Sequence, residues 1–216
     1  MKHSRALINS TIPVDYELIK KESKALTVFL HGYGQHFGLM KKKFQKIYSS
    51  DNQLYINGIF PLAPEIKGEI PEIKLRFAWY FFNPLTKTYF IDPSVPEKTI
   101  TNLIHHLNLQ DYKITFLGYS QGGYLAPFIA KNFSASTVIS INANLRHDLL
   151  PQKCDFSFNA INGKLDEIVD CDNAKNSFDQ FIENGNSGKF HQLDSSGHLI
   201  DDHILNKLTE IQAKIK

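Results

Sequence analysis

The most informative stretch of the chain is Thr115-Phe116-Leu117-Gly118-Tyr119-Ser120-Gln121-Gly122-Gly123-Tyr124. It begins as a short apolar run, typical of a buried strand, and a helical pattern follows from Gln121 to about Phe133. Between them lies Gly118-x-Ser120-x-Gly122, in which the glycines relieve the crowding of a sharp, strained turn. Such a turn lifts the hydroxyl clear of the sheet, at a helix N-terminus that stabilises negative charge. The stretch therefore predicts that Ser120 is a nucleophile.

Outward from this turn, apolar runs typical of strands alternate with helical patterns along most of the chain. We predict strands at 25–30, 54–60, 113–118, 137–141, 156–161 and 189–193, an extra edge strand at 14–19, and helices at 40–48, 96–107, 121–133, 173–182 and 200–215. This alternation is typical of an α/β fold, a mainly parallel sheet with helices on both faces. The 216 residues suffice for one domain with a substantial core, so we expect a single domain over residues 1–216.

One segment interrupts the alternation. Six of the nine prolines fall between Pro61 and Pro96, and seven aromatic residues lie within positions 77–90. Because proline breaks helices and central strands, we predict a long loop region there. Three alternatives remain open for its aromatic residues: a hydrophobic cluster under the loop, a wall of the substrate site, or a dimer patch.

A serine hydroxyl needs a base, and the expected chain order is serine, acid, histidine. His198 is the best candidate base, because it follows the last predicted strand, where sites of α/β proteins assemble. The acid must lie between Ser120 and His198 on another loop that leaves a strand. Asp166 meets that condition and is our first choice. Asp170 is the second choice, because an acidic residue close to a helix start needs no catalytic reason.

An acyl-transfer site also needs backbone N–H donors for the oxyanion. Two sources fit: the N–H of Gln121 at the helix start, and an N–H from the glycine-rich turn 30–35. That turn contains Gly32-x-Gly34, but Phe37 stands where a dinucleotide-binding loop needs its third glycine.

Composition excludes several other classes of protein. The net charge of +2 is too balanced for a nucleic-acid-binding surface. The longest apolar run has six residues, whereas a membrane span needs roughly 20. The first nine residues lack the apolar stretch of a secretory signal, and two cysteines cannot build a disulfide framework, so we expect a cytoplasmic protein. Without a metal-ligand pattern around His198, we expect no metal.

Four motifs together resemble the phospholipase/carboxylesterase family of α/β-hydrolases, which includes acyl-protein thioesterases. They are Leu30-His31-Gly32-Tyr33-Gly34, Gly118-Tyr119-Ser120-Gln121-Gly122-Gly123, Gly163-x-x-Asp166-x-x-Val169 and Gly197-His198, and the resemblance extends from about residue 25 to the C-terminus. It implies an α/β-hydrolase fold with Ser120 as nucleophile, His198 as base and Asp166 as its orienting acid. It also implies that the amides of Tyr33 and Gln121 form the oxyanion hole.

Ala78-Trp79-Tyr80 loosely resembles the aromatic stretch that the family carries near its substrate pocket. We therefore expect Gly32, Trp79 and Leu165 to contact the substrate. Only 46 positions separate Ser120 from Asp166, which leaves little room for a cap, so we expect no separate cap domain.

These observations favour a serine hydrolase that cleaves small-molecule or lipid-like acyl esters without a cofactor, stable membrane insertion or nucleic acid, as a monomer or homodimer. A thioesterase or peptidase would use the same triad, so that alternative stays open. A non-catalytic binding protein that kept the hydrolase fold is the alternative from another class.

Overall fold

The computed structural model describes residues 12–67, 72–83, 88–90 and 92–215. The first nine residues, which lack the apolar stretch of a secretory signal, lie outside this part. The strands are β1 (Tyr16–Ile19), β2 (Ala25–Leu30), β3 (Asn52–Ile56), β4 (Phe60–Lys67), β5 (Glu72–Ala78), β6 (Phe81–Asn83), β7 (Thr88–Phe90), β8 (Lys113–Tyr119), β9 (Ser136–Ile141), β10 (Phe156–Gly163) and β11 (Ser187–Leu193). The helices are α1 (Phe37–Phe44), α2 (Ser94–His106), α3 (Gln121–Ala130), α4 (Cys171–Glu183) and α5 (Asp202–Ile215), and a 3₁₀ turn covers His147–Leu149.

Seven strands form the central sheet, in the order β1-β3-β2-β8-β9-β10-β11. All neighbours are parallel except β1, which pairs antiparallel with β3 at the edge, Tyr16 opposite Ile56. The predicted α/β class and the extra edge strand are therefore confirmed. Because the carboxyl ends of parallel strands meet at one edge, the loops after β2, β8, β9, β10 and β11 converge there.

Helices cover both faces of this sheet, because successive apolar residues of each strand point to opposite faces. Val28 and Phe116 point to the face that packs against α2, α3 and α4. Phe29 and Leu117, one position further along, point to the face that packs against α1 and α5. The sheet is therefore packed between helices on both faces, and its carboxyl edge carries the loops of the candidate site.

The predicted loop at 61–96 is wrong over most of the part that the structure describes. β4 and β5 form one antiparallel hairpin, and β6 and β7 form another. Proline is tolerated in β4 because a two-stranded ribbon has only edge strands, where a missing N–H is cheap. Pro61 sits opposite Phe77, and the register shifts between Leu62 and Glu65, which brackets Pro64. Residues 68–71, 84–87 and 91 of that prediction lie outside the described residues.

Most boundaries differ from prediction by up to four residues; α1, for example, covers Phe37–Phe44 and not residues 40–48. Two of these differences have local reasons. β3 ends at Ile56 rather than at residue 60, because the N–H of Gly58 leaves the sheet to bond the ring of His31 at 2.8 Å. α3 ends at Ala130, three residues before the predicted end. Pro127 lies inside α3 and has no N–H for a helical hydrogen bond, which weakens the last turns of the helix.

Candidate active site

Ser120 lies at the junction between β8 and α3, at the carboxyl edge of the sheet. Its backbone has φ 51° and ψ −115°, which is a strained conformation for a residue with a side chain. Its N–H donates to the carbonyl of Ile141 at the end of β9, at 2.8 Å. The strain is therefore held by the neighbouring strand, and the turn has the geometry that the sequence predicted.

The glycines of the turn are required by close approach of backbone to backbone. A Cβ on Gly118 would lie 2.2 Å from the carbonyl oxygen of Gly122. A Cβ on Gly122 would lie 2.2 Å from the carbonyl oxygen of Leu30, the last residue of β2. Any side chain at either position would force the backbone apart, so these two glycines allow α3 to start directly against the sheet.

His198 reaches Ser120 from the loop after β11. Its Nε2 lies 3.1 Å from Ser120 Oγ, within hydrogen-bond distance. The hydroxyl of Tyr119 donates to the backbone carbonyl of His198 at 2.7 Å, and the two rings lie 5.4 Å apart. Burial first, and then the negative charge of Asp166, raises the pKa of Tyr119 to about 12, so its hydroxyl keeps this proton at neutral pH. Tyr119 thereby fixes the base loop, a contact that the sequence pattern did not reveal.

Asp166 approaches His198 from the other side, out of the loop after β10. Its Oδ2 lies 2.7 Å from His198 Nδ1, and its side chain is fully buried. Its Oδ1 accepts from the N–H groups of Ile168 and Val169, both at 2.8 Å. These charge-assisted bonds stabilise the ionised carboxylate in a buried position. The structure thus brings together the three side chains that the sequence predicted to form a triad.

Asp170, the second candidate acid, lies elsewhere. Its carboxylate caps α4 by accepting from the N–H of Asn173 at 2.7 Å. This is the ordinary role of an aspartate before a helix, and it occupies the side chain.

The two predicted sources of oxyanion donors are the start of α3 and the turn after β2. Gln121 is the first residue of α3, where backbone N–H groups have no acceptor within the helix. In the turn after β2, Gly32 donates its N–H to the Gln35 side chain at 3.0 Å, and Gly34 donates to the carbonyl of Phe77 at 2.9 Å. These two bonds fix the backbone on both sides of Tyr33. The assignment of Tyr33 and Gln121 stays a prediction.

Trp79 does not lie where a substrate would touch it, contrary to our expectation. Its indole is fully buried, and its Nε1 donates to the carbonyl of His31 at 2.8 Å. Its backbone N–H donates to the side chain of Gln121 at 2.8 Å, and the same side chain donates to the carbonyl of Tyr80 at 2.7 Å. Trp79 therefore joins the turn after β2 to the start of α3. The reason is that a polar group inside the core needs a partner, and both carbonyl and indole find one here.

His31 completes this support as a buried neutral imidazole. Its Nδ1 lies 2.7 Å from the carbonyl of Gly32, and its Nε2 accepts from the N–H of Gly58 at 2.8 Å. These partners require a proton on Nδ1 and none on Nε2. Burial lowers the pKa of His31 to about 4, so the ring stays neutral at physiological pH. Sequence reasoning quoted His31 only within a motif and missed this contact with the loop after β3.

The other two expected substrate contacts differ in exposure. Leu165 is 62% exposed beside Asp166, and its N–H donates to the carbonyl of Ser196 at 2.9 Å in the base loop. Gly32 is buried, and a Cβ added to it would lie 2.9 Å from the ring of Tyr119, the residue before Ser120. Leu165 is thus exposed next to Asp166, whereas Gly32 packs the turn after β2 against Tyr119.

No group of three or more histidine, cysteine, aspartate or glutamate side chains is placed to hold a metal ion in the described ranges. Within the same ranges, no helix is both long and apolar enough to cross a membrane.

Several solved structures with the same architecture are named as esterases or thioesterases. Esterase PE8 superposes with a TM-score of 0.74 at 17% identity, covering 95% of this chain and 100% of that one. The carboxylesterase from Mesorhizobium loti has a TM-score of 0.71 at 20% identity, covering 92% and 93% of the two chains. Acyl-protein thioesterase 2 from Zea mays has a TM-score of 0.71 at 16% identity, covering 93% and 98%. Identities this low show a shared fold alone.

A search of curated proteins finds no significant match. The model of one family, described as phospholipase/carboxylesterase, matches residues 17–215, which is nearly the whole chain. The α/β-hydrolase architecture, the strained serine turn and this match agree, and the chain therefore belongs to the phospholipase/carboxylesterase family.

Proposed function

We propose that this protein is a serine hydrolase that cleaves carboxylic esters through an acyl-enzyme on Ser120. One observation carries the proposal: Ser120 Oγ, His198 Nε2, His198 Nδ1 and Asp166 Oδ2 form a continuous chain with steps of 3.1 Å and 2.7 Å. A serine whose proton can pass to a histidine held by a buried carboxylate is an activated nucleophile.

In the first half-reaction, Ser120 Oγ attacks the ester carbonyl while His198 Nε2 takes the hydroxyl proton. Asp166 keeps the proton of the imidazole on Nδ1 and stabilises the imidazolium. The amides of Gln121 and Tyr33 donate to the oxyanion as the tetrahedral intermediate forms. When the intermediate collapses, His198 gives its proton to the leaving alcohol, and the acyl group remains on Ser120.

In the second half-reaction, water replaces the alcohol. His198 takes a proton from this water as the water attacks the acyl carbonyl, and the second tetrahedral intermediate collapses with return of the proton to Ser120 Oγ. The products are the free acid and the regenerated enzyme.

The surroundings of the triad favour an apolar substrate group. Leu165 and Leu199 flank the catalytic acid and base in sequence and are 62% and 72% exposed. An acyl or aryl group that covers these side chains removes apolar surface from water, at about 25 cal/mol per Å². We therefore propose small-molecule or lipid-like acyl esters as substrates, while dimer formation and a cytoplasmic location stay predictions from the sequence.

The test is turnover of p-nitrophenyl esters with acyl chains from two to twelve carbons, with a pre-steady-state burst measurement. We expect a burst equal to the enzyme concentration in the wild type and no measurable turnover in Ser120→Ala. Ser177→Ala is the matched control, because Ser177 lies on α4, where its hydroxyl donates to the carbonyl of Ala174. Equal turnover in wild type and Ser120→Ala would overturn the proposal.

The leaving group needs its own comparison, because the same triad acts on thioesters and amides. Matched ester, thioester and anilide substrates with one acyl group separate these activities. A kcat/KM at least tenfold higher for the thioester or the anilide than for the ester would replace the ester assignment by the thioesterase or peptidase alternative.

A further inference from the structure

Asn142 occupies the centre of the catalytic edge without being part of the triad. It is the first residue after β9, whose neighbours in the sheet are β8 and β10. Its side chain is fully buried, and its φ is 48°. Asparagine tolerates this left-handed conformation better than most residues with a side chain. The position is therefore built around this residue type.

The side-chain amide of Asn142 connects the end of β10, from which the loop with Asp166 leaves, to the loop after β11 that carries His198. Its Oδ1 accepts from the N–H of Gly163 at 3.0 Å, three residues before Asp166. Its Nδ2 donates to the carbonyl of Gly197 at 2.9 Å, one residue before His198. One planar group thus joins the backbones on which the acid and the base are mounted.

The backbone around Asn142 extends the same connection to the nucleophile. The N–H of Asn142 donates to the carbonyl of Ile161 in β10 at 2.8 Å. The preceding carbonyl, that of Ile141, accepts from the N–H of Ser120 at 2.8 Å. Two consecutive residues, 141 and 142, therefore contact all three segments that carry the triad.

A neutral amide can make both side-chain contacts, whereas an ionised carboxylate cannot. Gly163 offers a donor and Gly197 offers an acceptor, so the linking group must accept on one side and donate on the other. An ionised carboxylate of the same size would only accept, and would face the carbonyl of Gly197 with an oxygen. A glycine would keep the left-handed backbone and remove both contacts.

We propose that Asn142 is a positioning residue that sets the distance between Asp166 and His198 by linking their loops. The inference rests on the proposed function, because it assigns Asn142 a role in that triad. Asn142 holds the loops and is fully buried, so it acts on the chemical step and not on substrate binding. A shift of this kind lowers kcat because acid–base catalysis needs closely aligned partners.

The test compares Asn142→Gly, which keeps the backbone conformation, with Asn142→Asp, which keeps the size. The control is Asn162→Ala, because Asn162 is also fully buried at this edge but bonds neither loop; its Nδ2 lies 3.5 Å from the carbonyl of Ala143. We expect kcat for p-nitrophenyl butyrate to fall about tenfold in both Asn142 variants, with KM within twofold of wild type. The control should keep kcat within twofold.

A second readout does not depend on turnover. Proton NMR detects the downfield resonance of the His198 Nδ1 proton bonded to Asp166, and we expect it to broaden or move upfield in Asn142→Gly while the folded dispersion of the spectrum is kept. An unchanged resonance in Asn142→Gly, or a kcat of the Asn142 variants within twofold of wild type, would overturn the inference. An equal loss of kcat in Asn162→Ala would overturn it as well. If the wild type fails to turn over esters, the resonance still tests the positioning role, so the two failures are distinguishable.

Discussion

The buried imidazole of His31 makes the stability of this protein sensitive to acid. An unfolded histidine takes up a proton below pH 6.5, whereas burial lowers the pKa of His31 in the folded state to about 4. Between these values the unfolded state binds more protons, so the free energy of unfolding falls as the pH falls from 6.5 towards 4. Above pH 6.5 both states are neutral at this residue, and its contribution is complete.

The size of the effect follows from the two pKa values. One pKa unit corresponds to about 1.4 kcal/mol, so the full window corresponds to roughly 3 kcal/mol, of which roughly 2 kcal/mol is lost by pH 5.0. A small domain has only about 5–15 kcal/mol of stability, so this loss is large. Because the protonated ring can no longer accept from the N–H of Gly58, the loss acts first on the loop after β3.

Urea unfolding at pH 7.0 and pH 5.0 measures this loss. Trp79 is the only tryptophan of the chain and its ring lies 5.1 Å from His31, so its fluorescence reports on the same region. Between pH 7.0 and pH 5.0, we expect the free energy of unfolding to fall by about 2 kcal/mol more in the wild type than in His31→Gln.

One exposed histidine serves as the control. His203 is exposed on α5, so the free energy of unfolding of His203→Gln should change between pH 7.0 and pH 5.0 as much as that of the wild type. Burial also lowers the pKa of His191 to about 4, which is why the comparison is made between variants and not on the wild type alone. Identical pH dependence in wild type and His31→Gln would refute the reasoning.

Three further predictions concern Asp166, Gly122 and Trp79. Asp166→Asn should lower kcat by about 10³- to 10⁴-fold, because a carboxamide does not enforce the imidazole tautomer. Steady-state ester kinetics on the folded variant measures this loss, and a loss of kcat below tenfold would contradict the prediction. Gly122→Ala should prevent folding or severely destabilise the fold, since its Cβ would lie 2.2 Å from the carbonyl oxygen of Leu30. Gly197→Ala is the milder control, because its Cβ would lie 3.3 Å from the carbonyl oxygen of Leu165. Equal melting temperatures of the two variants would contradict this prediction. Trp79→Phe should lower the free energy of unfolding by about 1–3 kcal/mol, because the carbonyl of His31 loses its buried donor. Urea unfolding followed by circular dichroism measures this change, and an unchanged free energy of unfolding would show that the hydrogen bond contributes nothing.

The central sheet and the convergence of Ser120, Asp166 and His198 were predictable because their signals are local. Buried strands are apolar runs, amphipathic helices repeat every three to four residues, and the glycines around Ser120 mark a turn that few other residues can make. Once Ser120 is placed, chain order and position after a strand select Asp166 and His198. Each of these steps needs only a short window of sequence.

The hairpins and the supporting contacts were not predictable, because they depend on partners distant in sequence. Pro61 suggested a loop, but a two-stranded ribbon accommodates proline where a central strand would not. Trp79 suggested a pocket wall, but its indole is buried against the carbonyl of His31, 48 residues away. Asn142 gave no signal at all, because its importance lies in two backbone groups, of Gly163 and Gly197, that only the fold brings within its reach.

Covalent labelling by a fluorophosphonate, followed by intact mass measurement, tests the central claim most directly. Only an activated serine reacts with this reagent, since the hydroxyl must be deprotonated as it attacks phosphorus. We predict one adduct on the wild type and on Ser177→Ala, and none on Ser120→Ala. A folded wild type that stays unlabelled, or a Ser120→Ala variant that is labelled as fast as the wild type, would contradict the assignment of Ser120 as the nucleophile.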